Sequence, residues 1–213
     1  MRINLPENKS EITLGKYQRY VKLLERDLDV YSFNRRKLEI FTDLSFQDTA
    51  KVTQVDFEFC LNQIDKALNE EVGFVSRFEL AGIEFGFIPN INDITSEEMK
   101  HIEALDNLSI GEFVDSSNNS NSLDSLHKLL AVLFRPITNK DSFGNYEIAE
   151  YNGTNKYSEL MKQVPLNVSD GALFFFINLS IELQNYIQKS MMEEQKKVTQ
   201  QATTLKNGVG TLQ

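Results

Sequence analysis

Cysteine is almost missing from this 213-residue chain, and Cys60 alone excludes an internal disulfide. It lies in the apolar run Phe57-Glu58-Phe59-Cys60-Leu61, which reads as a buried, inert thiol rather than a nucleophile. Tryptophan is absent, and histidine occurs only at His101 and His127, so groups that titrate near neutrality are scarce. Lys and Arg form no long run and the net charge is −9, so the electrostatic attraction that dominates nucleic-acid binding is missing. The longest apolar run, Ala172 to Ile177, is far too short to cross a bilayer, and Met1 to Glu7 contains no apolar signal core. These features predict a cytoplasmic, reducing setting with no nucleic-acid or membrane partner.

The motifs of catalysis are equally sparse. No Gly-x-Ser-x-Gly elbow and no Cys/His zinc cluster occur, and Gly82-Ile83-Glu84-Phe85-Gly86 reads as a hairpin turn rather than a phosphate loop. The expectation is a protein that is not an enzyme, with no catalytic residues, no cofactor and no bound metal; the remote alternative is a metal-dependent enzyme using His101 and His127.

What is present is the composition of a folded protein, 41% hydrophobic and 25% charged. Leu14, Tyr17, Val21 and Leu24 recur at helical spacing, predicting a helix over Ile12–Leu28. A second helix is expected over Phe33–Leu44, burying Leu38, Phe41 and Leu44. Ser45-Phe46-Gln47-Asp48 reads as a turn that caps a short helix, and Asp56–Leu68 carries the stripe Phe57, Leu61, Ile64, Leu68. The period then changes: Phe74, Ser76, Phe78 and Leu80, then Ile83, Phe85 and Phe87 beyond Ala81-Gly82, predict a β-hairpin. Thr95-Ser96-Glu97-Glu98 is a capping-box sequence that starts a helix through Met99, Ile102 and Leu105.

A short helix is expected over Ser109–Val114, and Ser116 to Ser122 is a low-complexity, Asn/Ser-rich loop. Leu123–Phe134 is apolar on nearly every side and reads as a central buried helix, ended by Arg135-Pro136. Tyr146 to Tyr151 alternates like a short strand or extended turn. Tyr157–Val164 reads as a short helix stopped by Pro165, followed by a long helix from Val168 to at least Met192. The predicted fold is mainly α within the α+β class: a helical bundle-like domain with a small β-hairpin and a long C-terminal helix. The predicted domains are a helical group at 1–72, a hairpin and helical core at 73–192 with the loop at 116–122, and a polar tail at 193–213.

Two pairs have the i, i+3 carboxylate–imidazole spacing of bundle metal sites, Glu98 with His101 and Asp124 with His127. The charged neighbours Glu97, Glu98, Lys100 and Glu103 instead make the His101 helix read as a solvated surface element. His127 is expected to pack beside Leu123, Leu126 and Leu130 with one polar contact. Arg35-Arg36-Lys37 reads as a solvated patch or as a contact for an acidic partner. Aromatic usage is the informative anomaly, with 15 Phe and seven Tyr. Phe174, Phe175 and Phe176 on one helix point about 100° apart, so one stripe cannot hold them all. They are sandwiched between neighbouring elements or form an apolar groove or oligomer contact. The candidate interaction surface is Phe174, Phe175, Phe176, Tyr186, Phe85 and Phe87.

An ordered series runs through Leu129-Leu130-Ala131-Val132-Leu133-Phe134-Arg135-Pro136-Ile137-Thr138, Tyr146-Glu147-Ile148, Tyr151-Asn152-Gly153-Thr154, Val164-Pro165-Leu166 and Gly171-Ala172-Leu173-Phe174-Phe175-Phe176. It resembles small tail-assembly-chaperone-like and virion assembly proteins of tailed bacteriophages, over about residues 74–187. The Asn-rich, Trp-free composition fits a low-GC phage genome. The resemblance implies a helical protein that binds another phage structural or assembly protein, such as an aggregation-prone tape-measure chain. It is also compatible with a virion component such as a head–tail connector, ring or internal protein. The implied location is the host cytoplasm during assembly, or the virion, and a homo-oligomer is among the implied arrangements. The motifs are packing features, so no functional residue transfers with them.

Overall fold

The structure is a computed structural model that describes residues 3–90, 94–105, 120–152, 156–175 and 178. It is a mixed α+β fold. After a short 3₁₀ turn, Lys9–Glu11, come helices α1 (Leu14–Leu24), α2 (Val30–Phe41), α3 (Phe46–Thr49) and α4 (Gln54–Leu68). The hairpin β1 (Arg77–Leu80) and β2 (Ile83–Phe87) follows, then α5 (Ser96–Leu105), α6 (Ser120–Leu133), β3 (Phe134–Lys140), β4 (Tyr146–Ile148) and α7 (Ser158–Met161). Residues 166–175 are helical.

Each of the first four helices starts where a side chain accepts an orphan backbone N–H. The acceptors are Thr13 for Lys16 N–H, Asp29 for Ser32, Ser45 for Asp48 and Thr53 for Asp56. The turn at Ser45 therefore caps a short helix as its sequence predicts. Along α4 the buried line is Phe57, Cys60, Ile64 and Ala67, with Leu61 and Leu68 half-buried. In α1 the buried residues are Leu14, Gln18 and Leu23, whereas Leu24 is exposed, so the helix is turned from the orientation its apolar spacing predicts.

The sheet exceeds the predicted hairpin: four antiparallel strands in the order β1-β2-β3-β4. Ala81 and Gly82 form the two-residue turn with both φ positive, +52° and +74°, matching the right-handed twist of the flanking strands. Helix α6 ends at Leu133, just before Arg135-Pro136 as expected, and passes directly into a strand, Phe134–Lys140, that the sequence does not predict. The Ile88 N–H donates to the Leu133 carbonyl at 3.0 Å, so Ile88 and Gly86 direct their amides towards β3. Phe85, opposite Pro136, then belongs to a non-hydrogen-bonded pair. Pro136 turns its carbonyl to β4, accepting from Ala149 N–H at 2.8 Å. The proline thus removes no β2–β3 bond and sits where the β4 ladder ends, beside a register shift between Ile137 and Asn139.

One face of the sheet is aromatic. Phe78 stacks on Phe85 at 5.5 Å, and Phe134 meets Phe78 and Phe87 edge-on at 5.1 and 5.2 Å. Gly86 lies on the other face under Tyr146. A Cβ there would overlap the Tyr146 ring and approach Ile137 Cγ1 to 3.0 Å, so glycine is required for space. The Tyr146 hydroxyl donates to the Phe87 carbonyl at 2.8 Å, which fixes the ring over this position.

No division falls at 72/73. The chain separates into residues 1–172 and 173–213, and within the first unit the segment before residue 166 pairs with the start of α1. Thr13 bridges Pro165, Leu14 N–H donates to the Val164 carbonyl at 2.9 Å, and Leu166 N–H donates to the Ile12 carbonyl at 2.7 Å. Leu166 then joins the core of Ile12, Leu23, Leu38, Phe41, Phe57 and Ile64. The predicted helix at 109–114, the long helix beyond residue 178 and the polar tail lie outside the described residues, as does the Asn/Ser-rich loop up to residue 119. Ser120 to Ser122 of that loop already belong to α6. Among the described residues no helix is long and apolar enough to cross a membrane.

Candidate interaction surface

The six residues singled out by aromatic clustering separate. Phe85 and Phe87 are core, 0% and 4% exposed, because the aromatic face of the sheet is covered by Phe78, Phe134, Phe74 and Tyr157. They form no docking surface, which corrects that expectation. Phe174 is 67% exposed and Phe175 half-buried, whereas Phe176 and Tyr186 lie outside the described residues.

A different apolar surface emerges on the N-terminal helices. In α4, Val55 and Phe59 are one helical turn apart and 77% and 62% exposed. At about 100° per residue they stand roughly opposite the buried line through Phe57 and Ile64. At the start of α2, Val30 and Tyr31 are also exposed, and the Tyr31 ring lies 6.2 Å from that of Phe57. Tyr31 therefore meets α4 on its Phe57 side, and Val55 and Phe59 form a separate apolar pair on the outer side of that helix. The sequence held a signal for this: Phe57 and Phe59, two residues apart on a helix, cannot share one face.

The basic triplet 35–37 is divided among three roles. Arg35 lies 4.0 Å over the Phe46 ring and donates to the Phe46 carbonyl and, at 3.0 Å, to Thr49 Oγ1, fastening α3 to α2. Lys37 is buried and pairs with Asp65, tying α2 to α4. Arg36 pairs with Glu39 at 2.8 Å, lies 3.8 Å over the Phe46 ring and borders a cleft of about 330 Å³ between α1 and α2.

Glu98, predicted at the surface, is 1% exposed. Its Oε2 accepts from Thr95 N–H at 2.7 Å while Thr95 Oγ1 accepts from Glu98 N–H at 3.2 Å, completing the capping box. Its other oxygen lies 2.8 Å from Arg135 Nη1 on β3, close but off the axis of an aligned hydrogen bond. Burial lowers the Arg135 pKa, and the charges of Glu98 and Tyr151 oppose that shift. The Arg135 guanidinium also faces the Tyr151 ring at 5.9 Å, and the Tyr151 hydroxyl lies 2.8 Å from His101 Nδ1. This polar chain anchors α5 to the strand.

His127 is buried in α6 with its Nδ1 3.4 Å from Gln18 Nε2 and its Nε2 3.8 Å from Glu159, so it helps join α1, α6 and α7. Both histidines thus have structural partners. Among the described residues no group of three or more His, Cys, Asp and Glu side chains is placed to hold a metal. Cys60 is buried, and desolvation, followed by the nearby Asp56 charge, raises its thiol pKa, the direction of an unreactive cysteine. Compared with protein-family models, curated proteins and solved structures, the chain matches none.

Proposed function

We propose that this chain is a non-enzymatic assembly protein that binds another protein through exposed apolar helical surface, in the manner of the tail-assembly-chaperone-like phage proteins it resembles. The observation that carries the reading is the exposed apolar pair Val55 and Phe59 on the outer face of α4. Large side chains held in solvent on a rigid, well-capped helix carry a hydration cost that a partner relieves. Covering Phe59 alone is worth about 1–2 kcal/mol, by area. Phe174, exposed on the helical segment 166–175, provides a second apolar contact of the same chemistry. The partner is another structural or assembly protein, and the interaction has no covalent step. The engagement of His101 with Tyr151 and of His127 with Gln18 supports the non-catalytic reading.

The helical elements belong in this reading to a bundle-like body with a long C-terminal helix. Its setting is the host cytoplasm during assembly. The test is co-purification from infected cells combined with mass spectrometry of purified particles. A chaperone co-purifies with an unassembled structural protein and is absent from particles, and Val55→Asp with Phe59→Asp abolishes the complex while the fold persists. Presence in particles at a fixed copy number assigns the chain to the virion instead. An unchanged complex in the double variant removes α4 from the interface.

A further inference from the structure

We propose that the free edge of β1 pairs with β1 of a second copy of this chain, joining two sheets into one across a two-fold axis at Phe78. The strand order places β1 at one end of the sheet, beside β2 alone. Its register sets Arg77 opposite Gly86, Phe78 opposite Phe85, Glu79 opposite Glu84 and Leu80 opposite Ile83. Across the two-residue turn Leu80 and Ile83 form the hydrogen-bonded pair, and the Phe87 N–H donates to the Ser76 carbonyl at 2.8 Å. The backbones of Ser76, Phe78 and Leu80 are thereby directed to β2, and those of Arg77 and Glu79 away from it. Both residues are exposed, and among the described residues nothing pairs with their N–H or C=O groups. Such an edge is a template for another strand.

The charges select the occupant. Arg77 and Glu79 share one face of the strand. In antiparallel self-pairing centred on Phe78, Arg77 of each copy stands opposite Glu79 of the other, and each such pair exchanges two backbone hydrogen bonds. The edge is therefore complementary to itself in charge and in hydrogen bonding. Sliding one strand by two residues opposes Arg77 to Arg77 or Glu79 to Glu79. A one-residue slip sets Arg77 against Phe78, whose backbone β2 already uses. Within the chain Glu79 faces the like charge of Glu84, which is paired with Lys140, and no ion pair engages Glu79 among the described residues. A second copy supplies the missing guanidinium. Arg77 faces the Tyr146 ring at 5.6 Å, a contact that leaves its charge unpaired.

On the other face the two half-buried Phe78 side chains meet at the axis, and each half-buried Leu80 lies opposite Ser76 of the other copy, beside its Phe78. The edge at β4 lacks these properties. It has three residues, its ladder contains a register shift, and in the same arrangement its central Glu147 meets its own charge. Four backbone hydrogen bonds and two cross-strand ion pairs over so short a strand make a weak dimer, with a dissociation constant on the order of 0.1 mM. The β1 edge is separate from the outer face of α4, and either surface can be lost without the other.

The experiment is sedimentation equilibrium of the full chain from about 10 µM to about 1 mM, with amide hydrogen exchange read by NMR at both ends of that range. The expected result is a monomer–dimer equilibrium in which the Arg77 and Glu79 amides gain protection as the dimer forms. Arg77→Glu and Glu79→Arg each weaken dimerisation about tenfold or more. An equimolar mixture of those two variants restores it, as does the double variant, because opposite charges again face each other. Circular dichroism confirms that each variant is folded. A monomer at every concentration, a dimer unchanged in Arg77→Glu, or a mixture that stays monomeric overturns the proposal. A dimer without protection at Arg77 and Glu79 also overturns it and gives the contact to another surface.

Discussion

The sheet and α4 both carry phenylalanine at two-residue spacing, and the consequences are opposite. On β2, Phe85 and Phe87 point to the same side and are buried together under Phe78, Phe134, Phe74 and Tyr157. On α4, Phe57 and Phe59 point to opposite sides, so one is core and the other stands in solvent. The same local pattern is a packed face in a strand and a divided pair in a helix, because the side-chain periods are 2 and 3.6. An aromatic cluster in a sequence therefore marks a binding surface only when the element's period places part of it beyond what its neighbours cover.

That contrast is most strongly tested by removing rings from each region. Phe85→Ala should cost about 3–5 kcal/mol, whereas Phe59→Ala should change stability by less than about 0.5 kcal/mol, both read from urea unfolding midpoints. Equal costs would erase the distinction. Glu98→Ala should cost about 3 kcal/mol by leaving Arg135 buried beside no carboxylate and the Thr95 N–H without its acceptor. Adding Arg135→Met should recover part of that loss, and additive losses would show that the pair is not coupled.

Gly86→Ala probes the polar side of the sheet, where the new methyl overlaps the Tyr146 ring. It should cost about 1–3 kcal/mol, with much of the cost relieved by a second change, Tyr146→Ala. The smallest effect belongs to the hairpin turn. Ala81→Gly removes the strain of a left-handed alanine and should stabilise the fold by about 0.5 kcal/mol in thermal unfolding. A loss of stability there would contradict the assigned turn.

The parts of the fold governed by local chemistry were legible in the sequence. Ser45 and the Thr95–Glu98 capping box, the Ala81-Gly82 turn and the buried side of α4 all depend on residues within a few positions of one another. Strand β3 was not legible, since the apolar run from Leu129 to Phe134 passes from helix to strand without a turn residue. The helix does stop just before Arg135-Pro136, but the place of Pro136 beside the end of β4 becomes visible only with the partner strands. Glu98 was misread for a related reason: its charged neighbours describe a surface helix, and its burial depends on Arg135 from a distant strand. The exposure of Val55 and Phe59 follows from helical period, whereas aromatic clustering alone points to Phe85 and Phe87, which the sheet buries.

The most direct test of the proposed function is photo-crosslinking in infected cells, with a benzophenone side chain placed at position 59 or, as a control, at the exposed position 47 on α3. The expected result is one dominant adduct from position 59, identified by mass spectrometry as a phage structural or assembly protein, and none from position 47. No adduct from position 59, or the same adducts from both positions, would contradict the assignment of the outer face of α4 as the docking surface.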